Sequence, residues 1–218
     1  LDSIVGDIMS VKTFGYWNNP NWARWFGTNY GACIAMRSEM PENGTILQIT
    51  LRLARYPGHL PDVWGAIWNR NTGALLTKSE ASQRPSVTYE SGNPSSTEMM
   101  YFPMEQVSIA AGTPLWIGLA RNNSASKAVY FASRSSVSGR TIDYQNIART
   151  TPGNFTSVTN SFSNEALLIE VTYITGGQVK VWSGVAWVTK DVKIWTGSQW
   201  VPKPVKIWNG SQWVDSQS

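Results

Sequence analysis

Apolar residues along this chain recur at every second position or in short runs, and no helical period survives beyond a couple of turns. The stretch "GTILQITLRLARY" at 44–56 alternates over Ile46, Gln48, Thr50 and Arg52. "DVWGAIWNRNTGALLTKS" reads as two strands around Asn71-Thr72-Gly73, and "EMMYFPMEQVSIAAGTPLWIGLARN" as two more across Ala111-Gly112. "KAVYFASR" and "EALLIEVTYI" supply later strands. Short β-favouring segments divided by turn clusters predict an all-β fold, an antiparallel β-sandwich or jelly roll.

The pattern changes after "ITGGQ" at 174–178, a Gly-Gly hinge that marks a boundary between residues 1–176 and 177–218. Beyond it, "VKVWSGVAWVTKD", "VKIWTGSQWVPKP" and "VKIWNGSQWVDSQ" repeat with an unbroken period of 13, placing Trp182, Trp195 and Trp208 in one column and Trp187, Trp200 and Trp213 in another. Each copy reads as a short hairpin. Asn209-Gly210 predicts a two-residue type I′ turn, since both central residues of that turn need positive φ. Ser and Thr tolerate that φ less well, so the first two copies point to a three-residue or bulged turn. In the third copy the turn pairs Trp208 with Ser211, Ile207 with Gln212, Lys206 with Trp213 and Val205 with Val214. Val205, Ile207 and Val214 then form an aliphatic face, and Lys206, Trp208 and Trp213 the other. A lone two-stranded hairpin is marginal in water, so the repeats are expected to stack on one another, on the first domain or on repeats of neighbouring subunits.

Composition narrows the function classes. Of the chain, 42% is apolar and 15% charged, as in a folded globular protein. The formal charge of +4 is uneven: residues 1–176 hold thirteen Lys/Arg against twelve Asp/Glu, and the remainder five Lys against two Asp. No run of like charge argues for nucleic acid or an anionic membrane. One cysteine, Cys33, and one histidine, His59, provide no Cys/His zinc set, and no Asp-x-Asp cluster suggests calcium. No metal or cofactor is expected. No apolar stretch reaches the roughly 20 residues of a membrane span, and Leu1 begins no signal-peptide pattern. The carboxylates are scattered, and the P-loop, Gly-x-Ser-x-Gly, dinucleotide and His-Glu-x-x-His motifs do not occur, so the expectation is a non-enzyme.

Two phrases carry a resemblance. Ile67-Trp68-Asn69 with Gly73-Ala74-Leu75-Leu76, and Ala111-Gly112-Thr113-Pro114-Leu115-Trp116-Ile117-Gly118-Leu119, match paired-strand phrases of a jelly-roll module found in bacteriophage tail proteins and carbohydrate-binding sandwiches. The resemblance spans about residues 40–175. The Trp-Asn-Gly and Trp-Thr-Gly repeats resemble the C-terminal repeats of minor tail proteins from phages of actinobacteria. Together they imply an extracellular virion component of a phage tail or fibre, in contact with other tail proteins and with a host-surface glycan.

Candidate ligand residues follow from chemistry. "FGYWNNPNWARWFGTNY" at 14–30 sets Trp17, Trp22, Trp25 and Tyr30 among Asn and Gly, which suits a glycan-binding loop because rings stack on sugar faces while amides meet hydroxyls. The same rings also suit the end of a sandwich or an interface. Tyr56, His59 and Asp62 lie in a turn cluster where they could meet a ligand, or simply be exposed. Trp64, Trp68 and Trp116 fall on strands, and at least two are expected in the core. The repeats fit an oligomerising stem, with a homotrimer favoured because three copies close an aliphatic prism without an exposed edge. The alternative is a secreted bacterial carbohydrate-binding module that holds cell-wall polysaccharide with Trp17, Trp22, Trp25 and the repeat indoles.

Overall fold

The structure, a computed structural model, describes residues 4–6, 10–18, 20, 22–26, 33–90, 96–122, 129–145, 151–175, 179–190, 193–195, 200–202, 206–208 and 213–215. Every regular element in them is a strand. Two antiparallel sheets pack face to face as a β-sandwich.

The first sheet is built on β5 (Gly44–Arg55), flanked on one side by β8 (Glu98–Ile109). On its other side β14 (Ile169–Thr175) pairs with residues 45–51, and β10 (Val129–Ser135) pairs with residues 53–55. β2 (Ser10–Tyr16) lies outside β14, and β3 (Trp22–Phe26) outside β10. β13 (Glu165–Leu167) runs into β14 across Leu168 but pairs with β10, so one continuous stretch changes partner within the sheet. The second sheet has the order β12 (Asn160–Ser163), β11 (Thr141–Gln145), β4 (Cys33–Glu39), β9 (Pro114–Arg121), β6 (Val63–Asn69), β7 (Leu75–Lys78).

Between the sheets lies the main core. Ile34 and Met36 of β4, Ile49, Leu51 and Leu53 of β5, Phe102 of β8, Ile117 and Leu119 of β9, Phe131 of β10 and Ile169 and Val171 of β14 are all buried there. Each such side chain contributes roughly 1.5–3 kcal/mol by leaving water. The simple alternation predicted for β5 is broken: Ile46 is buried together with Ile49, Leu51 and Leu53, not grouped with Gln48, Thr50 and Arg52. The cause is a bulge. The register against both β8 and β14 skips Leu47, and one extra residue exchanges the two faces of a strand.

Trp68 and Trp116 are buried as expected but outside the sandwich, while Trp64 is half-buried. The two indoles stand directly opposite one another on β6 and β9, on the outer face of the second sheet. The segment 151–159 crosses them as a strap. Its Phe155 ring sits 4.4 Å from Trp116 and 5.5 Å from Trp68, and Trp68 Nε1 donates to the Gly153 carbonyl at 2.8 Å. Phe155 N donates to Gly73 O at 2.7 Å, so the strap rides on the β6–β7 turn. Gly73 is required there. Its φ is +72°, and a Cβ would stand 2.3 Å from Phe155 O.

The two ends of the sandwich differ. At one end the strands are joined by short connections, residues 40–43, 70–74, 110–113, 136–140 and 164. At the other lie the described stretches 56–62, 79–90 and 96–97. The second is the loop end, and it positions the site.

The repeats pair with themselves and with the start of the chain. β15 (Val179–Trp182) pairs with β16 (Trp187–Lys190), β17 (Lys193–Trp195) with β18 (Trp200–Pro202), and β19 (Lys206–Trp208) with β20 (Trp213–Asp215). β1 (Ile4–Gly6) adds to β15, so the first copy belongs to a three-stranded sheet that includes the opposite end of the sequence. The predicted register is corrected: Trp208 pairs with Trp213 rather than Ser211, Ile207 with Val214 rather than Gln212, and Lys206 with Asp215 rather than Trp213. Val205 lies outside the described residues. The first copy gives the physical reason. Ser183 N donates to Ala186 O at 2.9 Å, Gly184 has φ +93°, and Val185 does not have positive φ. The turn is a two-residue one centred on Gly184-Val185, not the three-residue or bulged turn expected of this copy, with Gly at the first central position as a type II′ turn demands. Ser183 Oγ accepts the Ala186 N–H at 3.1 Å in place of a backbone carbonyl.

Candidate functional site

Tyr56-Pro57-Gly58-His59 meets the demands of a type II turn residue by residue: proline presets φ at the second position, Gly58 takes φ +77° at the third, and His59 N closes the turn on Tyr56 O at 2.9 Å. The turn follows directly on β5 and swings His59 back over Tyr56, with ring centroids 4.7 Å apart. A second segment is tied beside it. Arg55 N donates to Val87 O at 2.8 Å, Tyr89 N donates to Arg55 O at 3.0 Å, and Arg55 Nε reaches Thr88 Oγ1 at 3.1 Å. The Glu98 carboxylate holds the start of that segment by accepting from Ser86 N, Ser86 Oγ and Val87 N.

The third contributor is Tyr130, on β10 between the buried Val129 and Phe131, and therefore on the outer face of the first sheet. Tyr89 stacks on it at 3.9 Å with 23° between planes, and Tyr56 lies nearly parallel to it at 6.0 Å and 11°. Four rings, Tyr56, His59, Tyr89 and Tyr130, thus form one cluster at the loop end. Tyr56 is 38% exposed, and Leu60 and Val87 beside the cluster are exposed as well. Burial pushes the Tyr130 phenol above its ordinary value of 10, and the neighbouring Tyr56 and Tyr89 push it further in the same direction.

Asp62 serves the scaffold of this end. Its carboxylate takes Arg84 Nε on one oxygen and Asn122 Nδ2 on the other at 2.8 Å, while Asn122 N donates to the Asp62 carbonyl at 3.1 Å. The network joins the loops after β5, β7 and β9, and so holds the ground on which the rings stand.

The segment 14–30 contains two strands instead of the single loop expected. Trp22 and Trp25 belong to β3, where their Cα partners are Ser133 and Tyr130; their side chains and all of Tyr30 lie outside the described residues. Trp17 follows β2 and is 41% exposed, with no ring contact to the tyrosine cluster among the described residues. Sequence reasoning singled out Tyr56, His59 and Asp62 but missed Tyr89 and Tyr130. The signal for Tyr130 was its outward place in an alternating strand; Tyr89 carried none, because its position depends on a backbone pairing 33 residues away.

Chemically, the cluster offers ring edges, one exposed phenol face, three hydroxyls and an imidazole, a set suited to hydrogen-bonding and stacking on a polyhydroxylated ligand. Among the described residues no group of three or more His, Cys, Asp or Glu is placed to hold a metal ion. No protein-family model, no curated protein and no solved structure matches this chain.

Proposed function

We propose that this protein is a non-enzymatic surface-contact component of a phage tail, whose sandwich domain engages a neutral host-surface glycan through the rings at its loop end. The observation that carries the reading is the convergence of Tyr56, His59, Tyr89 and Tyr130 from three separate segments, with Tyr56 open to solvent. Loops borne on a rigid sandwich are where binding groups concentrate. The resemblance of the 40–175 region and of the repeats to tail proteins supports the virion setting, and the repeats act in it as an oligomerising stem that favours a trimer.

The test is binding of the full chain to an array of neutral bacterial-wall polysaccharides. Retention on at least one glycan, with affinity reduced about tenfold in Tyr56→Ala at an unchanged melting temperature, is the expected result. Retention that is indifferent to Tyr56→Ala, or none at all, overturns the glycan contact. Light scattering of the full chain against one stopped after Gly176 tests the stem, and equal monomer masses for both would dismiss it.

A further inference from the structure

At the opposite, short-turn end of the sandwich, Arg37, Arg70 and Arg140 line one open cleft of about 650 Å³, together with Glu39, Gly139 and Thr141. Their backbones are fixed independently. Arg37 lies in β4, Arg70 N donates to Pro114 O at 2.9 Å, and the Arg140 carbonyl accepts from Asn164 N at 2.8 Å. Arg37 is also fixed at its head: Nε and Nη2 are spent on Asp143, which leaves Nη1 without a hydrogen bond among the described residues on a side chain that is 44% exposed. The side chains of Arg70 and Arg140 make no hydrogen bond or ion pair among the described residues.

Three arginines therefore line one cleft in which Glu39 is the single acidic lining residue, and Asp143, the partner of Arg37, already accepts from Arg37, Trp116 and Ser161. Gathering like charges in this way raises the free energy of the empty protein, and an oxyanion entering the cleft relieves it. Guanidinium forks match phosphate and carboxylate oxygens in pairs, which is the recognition arginine does best.

We infer that this cleft is a second binding site, for the phosphate or carboxylate group of an anionic polymer, independent of the ring cluster at the loop end. Polyphosphate and polygalacturonate are the probes, titrated against the full chain by calorimetry at about 50 mM salt, where exposed charges are incompletely screened. Binding of polyphosphate alone assigns a phosphate ligand, and binding of polygalacturonate alone a uronate. In either case the Arg70→Gln, Arg140→Gln double variant is expected to lose about tenfold or more in affinity. Lys78→Gln removes the same kind of charge from the far edge of the second sheet and is expected to change affinity less than about twofold. No binding of either polymer, or equal losses per charge removed in the cleft and at Lys78, overturns the inference. The melting temperatures of the variants separate loss of the site from loss of the fold.

Discussion

Arg37 and Asp143, 106 positions apart, form a two-pronged pair on the outer face of the second sheet, with Nε 2.6 Å from Oδ2 and Nη2 2.9 Å from Oδ1. Trp116 Nε1 also donates to Oδ2, at 2.7 Å, and Ser161 Oγ to Oδ1. Burial alone would raise the carboxyl, but the hydrogen bonds from Arg37, Ser161 and Trp116 outweigh it and hold Asp143 below its ordinary 3.8. A depressed carboxyl stabilises the fold above its unfolded value, and that stabilisation is lost as pH falls below 3.8 toward the folded value. Asp143→Asn is therefore expected to cost about 2 kcal/mol at neutral pH, or roughly 4–8 °C in melting temperature, and to flatten the acid limb of a stability–pH curve. An unchanged acid limb would assign that limb to other carboxylates.

Tyr173 contributes to the alkaline limb. Its phenol is pushed up to about 12, first by burial and then by the hydrogen bond and charge of Glu42, whose Oε1 lies 2.9 Å away. A raised phenol stabilises the fold below 10 and loses that contribution as pH climbs from 10 toward 12. Tyr173→Phe should remove about 2 kcal/mol of alkaline instability, allowing for solvent around Glu42, and denaturant melts at pH 9 and 11.5 measure it.

Gly73→Ala should lift the strap from the outer indoles. The substitution meets both a positive φ and the Phe155 carbonyl, for an expected loss of about 2 kcal/mol. Phe155→Ala removes the ring between Trp68 and Trp116 and is expected to cost about 3 kcal/mol. Both changes admit water to the indoles, so the tryptophan emission should shift to the red in each. A blue or unchanged emission in both would show that the strap is not what shields them.

Deleting residues 177–218 should free the start of the chain. Ile4–Gly6 pairs with Val179–Val181, so its amides lose their partner strand when the repeats are removed. Hydrogen exchange of a peptide covering residues 1–9 is expected to accelerate in the shortened chain while exchange at 129–135 stays slow. Equal protection of residues 1–9 in both chains would overturn the pairing.

What was legible in the sequence was local. The strands at 44–55, 63–69, 98–109 and 114–121 follow from runs of β-favouring residues, and the turn at Tyr56–His59 from proline and glycine at their required places. What escaped was set by geometry between segments. The bulge at Leu47 exchanges the faces of β5 without any glycine to mark it, because it answers the partners on both sides. The outer cluster of Trp68 and Trp116 looks like core on its own strands, and the strap that covers it comes from residues 151–159. Asn-Gly is the stronger hairpin signal in isolation, yet the first copy uses its glycine one turn position earlier, so that the Trp pair closes the hairpin. Tyr89 joined the site only once Arg55 had bound Val87 and Tyr89 through the backbone.

The continuous stretch of β13 and β14 bears on how the chain reaches this state. Apart from the β6–β7 and β11–β12 pairs, every step from β4 to β13 crosses between sheets, so most pairings join segments distant in sequence, and folding is expected to be slow for a chain of this size. β14 fills the slot between β5 and β2, and it is the last strand of the sandwich to be synthesised. Until residue 175 has emerged, β5 offers an open apolar edge on a nascent chain, the feature that most invites pairing with a neighbouring copy. The vulnerable period in the life of this protein is thus its own synthesis, and it ends when one seven-residue strand is seated.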